Sequence, residues 1–317
     1  MARYLIRRTG EAAVLILVVS FVAFLLVYMA PGGPAILLDP NMTPEDAALM
    51  KNLMGLDEPF HVQYWRWLAA IAQGDLGLSL SVRLPVYDII RQQLPNTMVL
   101  ATSSLVLAVA ISVPLGVIAA AKRNGPVDQA VALLSSFGLA VPAFWFGLLL
   151  VIAFSLKLEW LPAGGMATDG DGSFWDVAKH LVLPTLVLAT SNMAQLTRHT
   201  RSAMISVLRQ DYVRTARAKG VSERLTIFRH ALRNALVPVL SVIGLLLPQL
   251  FGGAAVTETV FAWPGIGQLA VRAAFERDYP VIMGVAMVAS AIVILASLLV
   301  DLLYACIDPR ISVAGKP

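Results

Sequence analysis

Six stretches of the chain are apolar over enough residues to cross a bilayer, approximately 10–30, 97–121, 128–156, 180–204, 236–257 and 281–304. A helix needs about 20 such residues to traverse about 30 Å of hydrocarbon. The runs are continuously apolar rather than alternating with period two, so they predict helices and not the strands of a barrel. The pattern predicts an all-α polytopic membrane protein with six transmembrane helices. Pro142 and Pro248 fall inside the third and fifth runs. Both predict bends, with neighbouring groups satisfying the freed carbonyls.

The first run follows Arg3, Arg7 and Arg8, as a signal peptide would. Its apolar part, Ala12 to Ala30, is longer than the core of about 7–15 residues in a cleavable signal. Ala-Pro-Gly-Gly after it is a poor cleavage site, so the run is expected to stay as a signal-anchor helix. The polar segment 31–95 carries helix signals of its own. Thr43-Pro44-Glu45-Asp46 reads as an N-cap, a first-turn proline and two acids at the positive helix end. Lys51 suits the last turn and Gly55 the stop. Near 59–72, Phe60, Tyr64, Trp67 or Leu68, and Ile71 fall on one face, and Trp65 and Trp67 suit a membrane–water boundary.

Composition agrees with lipid exposure. The chain is 58% hydrophobic and 14% charged, and its mean hydropathy is +0.74. Soluble domains are about 45–50% apolar and about 25% charged. The net charge of +4 sorts by side. With the N-terminus inside, 16 of 24 Lys and Arg fall on the inner side and 14 of 20 acids on the outer. That bias places both termini in the cytoplasm. The one cysteine, Cys306, allows no disulfide within the chain, and the four histidines lack metal-ligand spacing. No Gly-x-x-x-x-Gly-Lys-Ser/Thr phosphate cradle, Gly-x-Ser-x-Gly elbow or His-Glu-x-x-His pair occurs. The chain is therefore expected to catalyse no reaction, to hold no metal or cofactor, and to depend on a partner for energy. Glu11, Glu258 and Asp301 lie near span ends, whereas ion-coupled carriers place acids at mid-membrane depth.

The inner loop 205–235 is the most informative segment. Between Arg198 and Arg233 it has nine basic residues and two acids. Asp211-Tyr212-Val213-Arg214-Thr215-Ala216-Arg217-Ala218-Lys219 suits a helix, Gly220 a left-handed stop, and Ser222-Glu223 the cap and first turn of a second helix. Read alone, such a loop is a solvated, inside-marking segment drawn to anionic lipid headgroups. No nucleic-acid-binding module accompanies the charge.

This loop resembles the "EAA" loop of ABC importer permeases, with Arg214-Thr215-Ala216 standing where that family has Glu-Ala-Ala. It is closer to the peptide/nickel branch. Gly55-Leu56-Asp57-Glu58-Pro59, Gly74-Asp75-Leu76-Gly77, Leu94-Pro95-Asn96-Thr97 and Pro142-Ala143-Phe144-Trp145 extend the resemblance. So do Thr197–Ser202, Arg229–Asn234, Glu258–Gly265, Arg277–Pro280 and Asp308-Pro309-Arg310. Their joint order resembles the first permease subunit of dipeptide/oligopeptide importers. The resemblance implies a type I ABC importer permease fold in a bacterial or archaeal inner membrane. It implies domains at 1–95, 96–305 and a tail at 306–317. It also implies a second permease subunit, two ATPase subunits that bind ATP and Mg, an extracytoplasmic solute-binding protein and a peptide-like substrate. Asp211, Arg214, Thr215, Ala216, Lys219, Gly220, Ser222 and Glu223 would then dock on the ATPase. Glu258, Trp263, Pro264 and Gly265, in the segment Thr257–Gly267, would meet the binding protein.

A pathway needs polar groups that face the bundle interior. Asn192, Gln195 and His199 recur at intervals of three and four, and Ser241 and Gln249 are eight apart. Helix–helix hydrogen bonding explains the same residues equally well. Gly252-Gly253-Ala254-Ala255 suits close packing against a second permease. An ion-gradient-driven carrier, and a membrane enzyme or assembly factor, are the competing classes. Co-purification of an ATPase distinguishes the first reading from both.

Overall fold

The structure is a computed structural model that describes residues 2–31, 33–34, 42–168 and 171–307. Asp308-Pro309-Arg310 and the tail beyond them lie outside the described residues. The helices run in the order α1 (Ala2–Tyr28), α2 (Pro44–Leu53), α3 (Phe60–Ala72), α4 (Val86–Ala121), α5 (Pro126–Ala140), α6 (Ala143–Leu150), α7 (Phe174–Leu208), α8 (Asp211–Ala218), α9 (Glu223–Leu225), α10 (Leu232–Val260), α11 (Ile266–Phe275) and α12 (Tyr279–Ile307). π-helical turns continue α6 over Val151–Lys157 and join α9 to α10 over Thr226–Ala231. Among the described residues the only β pairing is an isolated antiparallel bridge between Leu78 and Pro85.

Four described segments are long and apolar enough to cross a membrane: Arg7–Tyr28, Val86–Ala121, Glu223–Val260 and Tyr279–Leu298. Pro126–Ala140 and Ala143–Lys157, bent by 102° about their break, form a fifth if the pair is one span. The break falls at Pro142, where the sequence placed a bend. At Pro248 the helix is not interrupted: α10 runs through both Pro238 and Pro248. The sixth expected span, 180–204, lies within α7, which is long enough but not among the apolar segments. Asn192, Gln195, Arg198, His199 and Arg201 dilute it. Fifteen of its residues are buried, so protein rather than lipid surrounds much of this helix.

The chain divides into two compact units. The first comprises Met1–Thr97 and Pro264–Leu295. In it the hydroxyl of Thr43 accepts the Asp46 amide and Gly55 closes α2 at φ +67°, as the capping signals require. The apolar face of α3 packs on α1: Phe60, Tyr64 and Trp67 lie edge-on or tilted against Phe24, with ring centroids 5.3–5.6 Å apart. Ser20 and Tyr64 share a buried hydrogen bond of 2.9 Å. A second core joins Val86, Ile89 and Ile90 of α4 to Ile266, Leu269, Val281 and Val285. That packing starts α4 well before residue 97, where the apolar run begins.

Asp278 anchors the turn before α4. Its carboxylate accepts the Ser79 hydroxyl at 2.5 Å, the Ser81 hydroxyl at 2.9 Å and the Ser81 amide at 3.1 Å. Burial pushes this carboxyl up, but the hydrogen bonds from Ser79, Ser81 and Leu80 together outweigh it and hold it below the usual carboxylate range.

The second unit comprises Met98–Trp263 and Ala296–Pro317. Leu100, Leu188, Leu250, Ala254 and Trp263 form one cluster, and Leu196, Val239 and Leu246 another. A third cluster joins Val117 and Ala120 to Met204, Val207, Ala231 and Ala235, at the level where α7 hands over to the loop.

Candidate functional site

The loop after α7 is a helix–turn–helix. Gln210 caps α8 in an extended conformation, and Asp211 fills its first turn. The turn after α8 is a complete Schellman motif: the Gly220 amide donates to Arg217 O at 2.9 Å and the Val221 amide to Ala216 O at 3.2 Å. Gly220 has φ +80°, as that motif demands. Ser222 takes the N-cap position of α9, but its side chain makes no cap hydrogen bond. A bidentate pair closes the turn instead, with Arg217 donating to Glu223 at 2.6 and 3.0 Å. The Glu223 hydrogen bond raises the Arg217 pKa, so the guanidinium stays charged.

Val213 and Ala216, one turn apart, form the buried face of α8. Asp211, Arg214, Thr215, Lys219, Gly220, Ser222 and Glu223 are exposed. The predicted docking residues therefore separate: Ala216 supports the loop from beneath while the other seven reach its surface. Tyr212 ties α8 to the return arm, since Asn234 donates to its hydroxyl at 2.7 Å. Leu225 and Phe228 are exposed beside the cationic residues, Phe228 by 61%. Nothing in the hydropathy pattern marks either residue as exposed, and the one signal the sequence carries for them is their place amid Arg224 and Arg229.

The polar positions of the bundle separate too. Asn192 is buried and donates to Leu188 O, one turn earlier in the same helix, at 2.9 Å. Gln195 and Ser241 are partly exposed, and His199 and Gln249 are exposed. Ser241 donates to Val237 O at 3.3 Å. Near Thr257–Gly267, Glu258 and Trp263 have 0% exposure and Gly265 is buried, whereas Thr259 and Ala262 are exposed and Val260, Pro264 and Gly267 partly so. The Gly165 amide donates to Phe261 O at 2.8 Å and holds the loop at 164 to this segment. Elsewhere, the first unit contains a cavity of about 470 Å³ walled by Phe24, Val27, Trp67, Tyr279 and Met283, with Lys51, Asp57 and Arg66 also on its lining.

One pair was not legible in the sequence. Asp128, in the first turn of α5, is buried and accepts both Nε and Nη2 of Arg201 on α7, at 2.5 and 2.7 Å. The two residues are 73 apart, which no local pattern connects.

Residues 112–313 match the family model described as "Binding-protein-dependent transport system inner membrane component". Residues 1–101 match the N-terminal model of the same systems. The chain belongs to this permease family. It is thus a multi-pass inner-membrane component, and the loop between α7 and α10 lies inside the matched region. The family is separate from ion-gradient-driven carriers, which sets that alternative aside. The permease is 44% identical over 314 residues to the oligopeptide transport system permease protein AppB of Bacillus subtilis, covering 98% of this chain and 99% of that one. It is 36% identical to the dipeptide transport system permease protein DppB of Escherichia coli K12, over 98% and 99% of the two chains. In structure it resembles a chain of the MetNI methionine ABC transporter in an inward-facing conformation, with a TM-score of 0.58 and 15% identity, over 69% of this chain and 96% of that one. That likeness shows a shared type I importer permease fold.

Proposed function

We propose that this permease is one membrane subunit of an ATP-driven importer that moves peptides or similar small solutes inward by alternating access. The observation that carries the reading is similarity along almost the entire chain to peptide-system permeases, at 44% identity with AppB. In this reading a loaded extracytoplasmic binding protein docks outside. Two ATPase subunits, which hold ATP and Mg, close inside, and a second permease completes the pathway.

The division into 1–95, 96–305 and a cytoplasmic tail at 306–317 fits that arrangement. So does α7 as the sixth span, with both termini in the cytoplasm. The exposed surface formed by Asp211, Arg214, Thr215, Lys219, Gly220, Ser222 and Glu223 is the docking face for an ATPase. Ala216 and Val213 hold that face on the bundle. Asn192, Gln195, His199, Ser241 and Gln249 are the candidates to line the solute route. The binding protein is met through the accessible residues of this segment, Thr259, Ala262 and Pro264, whereas Glu258 and Trp263 are buried.

Reconstitution into liposomes with the partner subunits tests the reading. Dialanine and penta-alanine serve as probes. The expected result is uptake that requires ATP and the loaded binding protein and survives an ionophore. Uptake by this chain alone, or uptake abolished by the ionophore, contradicts it.

A further inference from the structure

We propose that Asp128 and Arg201 are positioning residues for transport: their ion pair joins the start of α5 and the end of α7 into one lever that carries movement of the docking loop into the bundle. This inference rests on the docking role proposed above. Arg201 lies two helical turns before Leu208, where α7 gives way to the loop. Asp128 takes two hydrogen bonds from Arg201 and a third from the Asn124 amide at 2.8 Å, in the tight turn that opens α5. Asn124 holds φ +62° there, so the carboxylate fixes the turn as well as the partner helix.

Packing at the same level leaves little slack. A Cβ at Gly116 of α4 would stand 2.6 Å from the Thr200 Cβ and 3.0 Å from the Arg201 amide nitrogen. Val117 and Ala120 of α4 pack on Met204 and Val207 of α7, and these on Ala231 and Ala235 of the loop's return arm. Apolar contacts of this kind fix distance but let helices slide and rotate. A bidentate carboxylate–guanidinium pair fixes orientation too. Asp128 is buried and Arg201 partly so, and an ion pair taken out of water seldom stabilises a fold more than an apolar pair of the same size would, so orientation is the property it adds here. Displacement of the loop then reaches α5, and through it the 102° bend at Pro142.

The test uses the complete importer in liposomes and measures peptide taken up per ATP hydrolysed, for the wild type, Asp128→Asn and Arg201→Lys. Assembly with the ATPases is quantified for each. Asp128→Asn is expected to assemble and hydrolyse ATP while uptake per ATP falls about tenfold or more, because the partly buried Arg201 guanidinium loses its counter-charge and with it the fixed two-point contact. Arg201→Lys, which keeps the charge but loses the fork, is expected to fall in between. Uptake per ATP within about twofold of wild type in either assembled variant overturns the inference. So does a loss of uptake that merely follows the amount of assembled complex. If Asp128→Asn fails to assemble, Arg201→Lys decides. A wild-type complex that takes up neither probe overturns the proposed function instead, whatever the variants do.

Discussion

Gly220→Val isolates the backbone contribution of the docking loop. Gly220 sits at φ +80°, a conformation that costs an L-residue about 1–2 kcal/mol and a β-branched one the upper end or more. A Cβ added there meets nothing within 4 Å, so no clash adds to that cost. The penalty is confined to the two hydrogen bonds of the Schellman turn. About 2 kcal/mol corresponds to about a thirtyfold lower population of the observed turn. Gly220→Ala should cost about 1 kcal/mol, partly offset by a less flexible unfolded chain. Gly220→Asn should cost least, because asparagine tolerates this region. Titrating purified ATPase against the permease in detergent, with membrane abundance measured in parallel, reads the series. The expected order of docking affinity is Gly, Asn, Ala, Val at equal abundance. Val docking like the wild type refutes the reasoning. Equal losses for Asn and Val refute it too, since they would point to a side-chain clash rather than backbone strain.

Three further outcomes follow from the packing. Gly164→Ala puts a Cβ 2.6 Å from the carbonyl oxygen of Phe261, which already accepts the Gly165 amide. Thermal unfolding of the purified permease should then show about 1–3 kcal/mol of destabilisation, and an unchanged melting temperature contradicts the contact. Tyr64→Phe should cost only about 1 kcal/mol, because Ser20 keeps its bond to Leu17 O, while Tyr64→Ala should cost about 3–5 by emptying the aromatic cluster. Asp278 has a folded pKa below its unfolded one, so its stabilisation is complete above the unfolded pKa and is lost as pH falls through the folded value. Acid titration of stability should therefore be steeper below the usual carboxylate range for the wild type than for Asp278→Asn, and parallel curves contradict the assignment.

Local signals were legible wherever the backbone itself decides. The Thr43 cap, the Gly55 and Gly220 stops and the break at Pro142 all follow from rules that act within a few residues. Pro248 leaves α10 continuous, because a proline inside a packed bundle has its freed carbonyl satisfied by its surroundings. The apolar pattern placed the start of α4 too late, since Val86, Ile89 and Ile90 join the helix by packing against α11 and α12. At the candidate site, spacing identified the loop but not which way each side chain faces. Ala216 belongs to the buried face and Glu258 and Trp263 to the interior, and only tertiary contacts decide that. The Asp128–Arg201 pair joins distant helices, so a single sequence carried no trace of it.

The account depends on the loop around Gly220 facing the cytoplasm and meeting an ATPase there. Cys306 is the chain's one cysteine, so Lys219→Cys in a Cys306→Ser background offers a single reactive thiol. A membrane-impermeant maleimide applied to intact cells and to inverted membrane vesicles, with and without the ATPase subunits bound, measures both properties. The account predicts labelling only in inverted vesicles and protection by bound ATPase. Labelling in intact cells, or labelling of vesicles that the ATPase leaves unchanged, contradicts it.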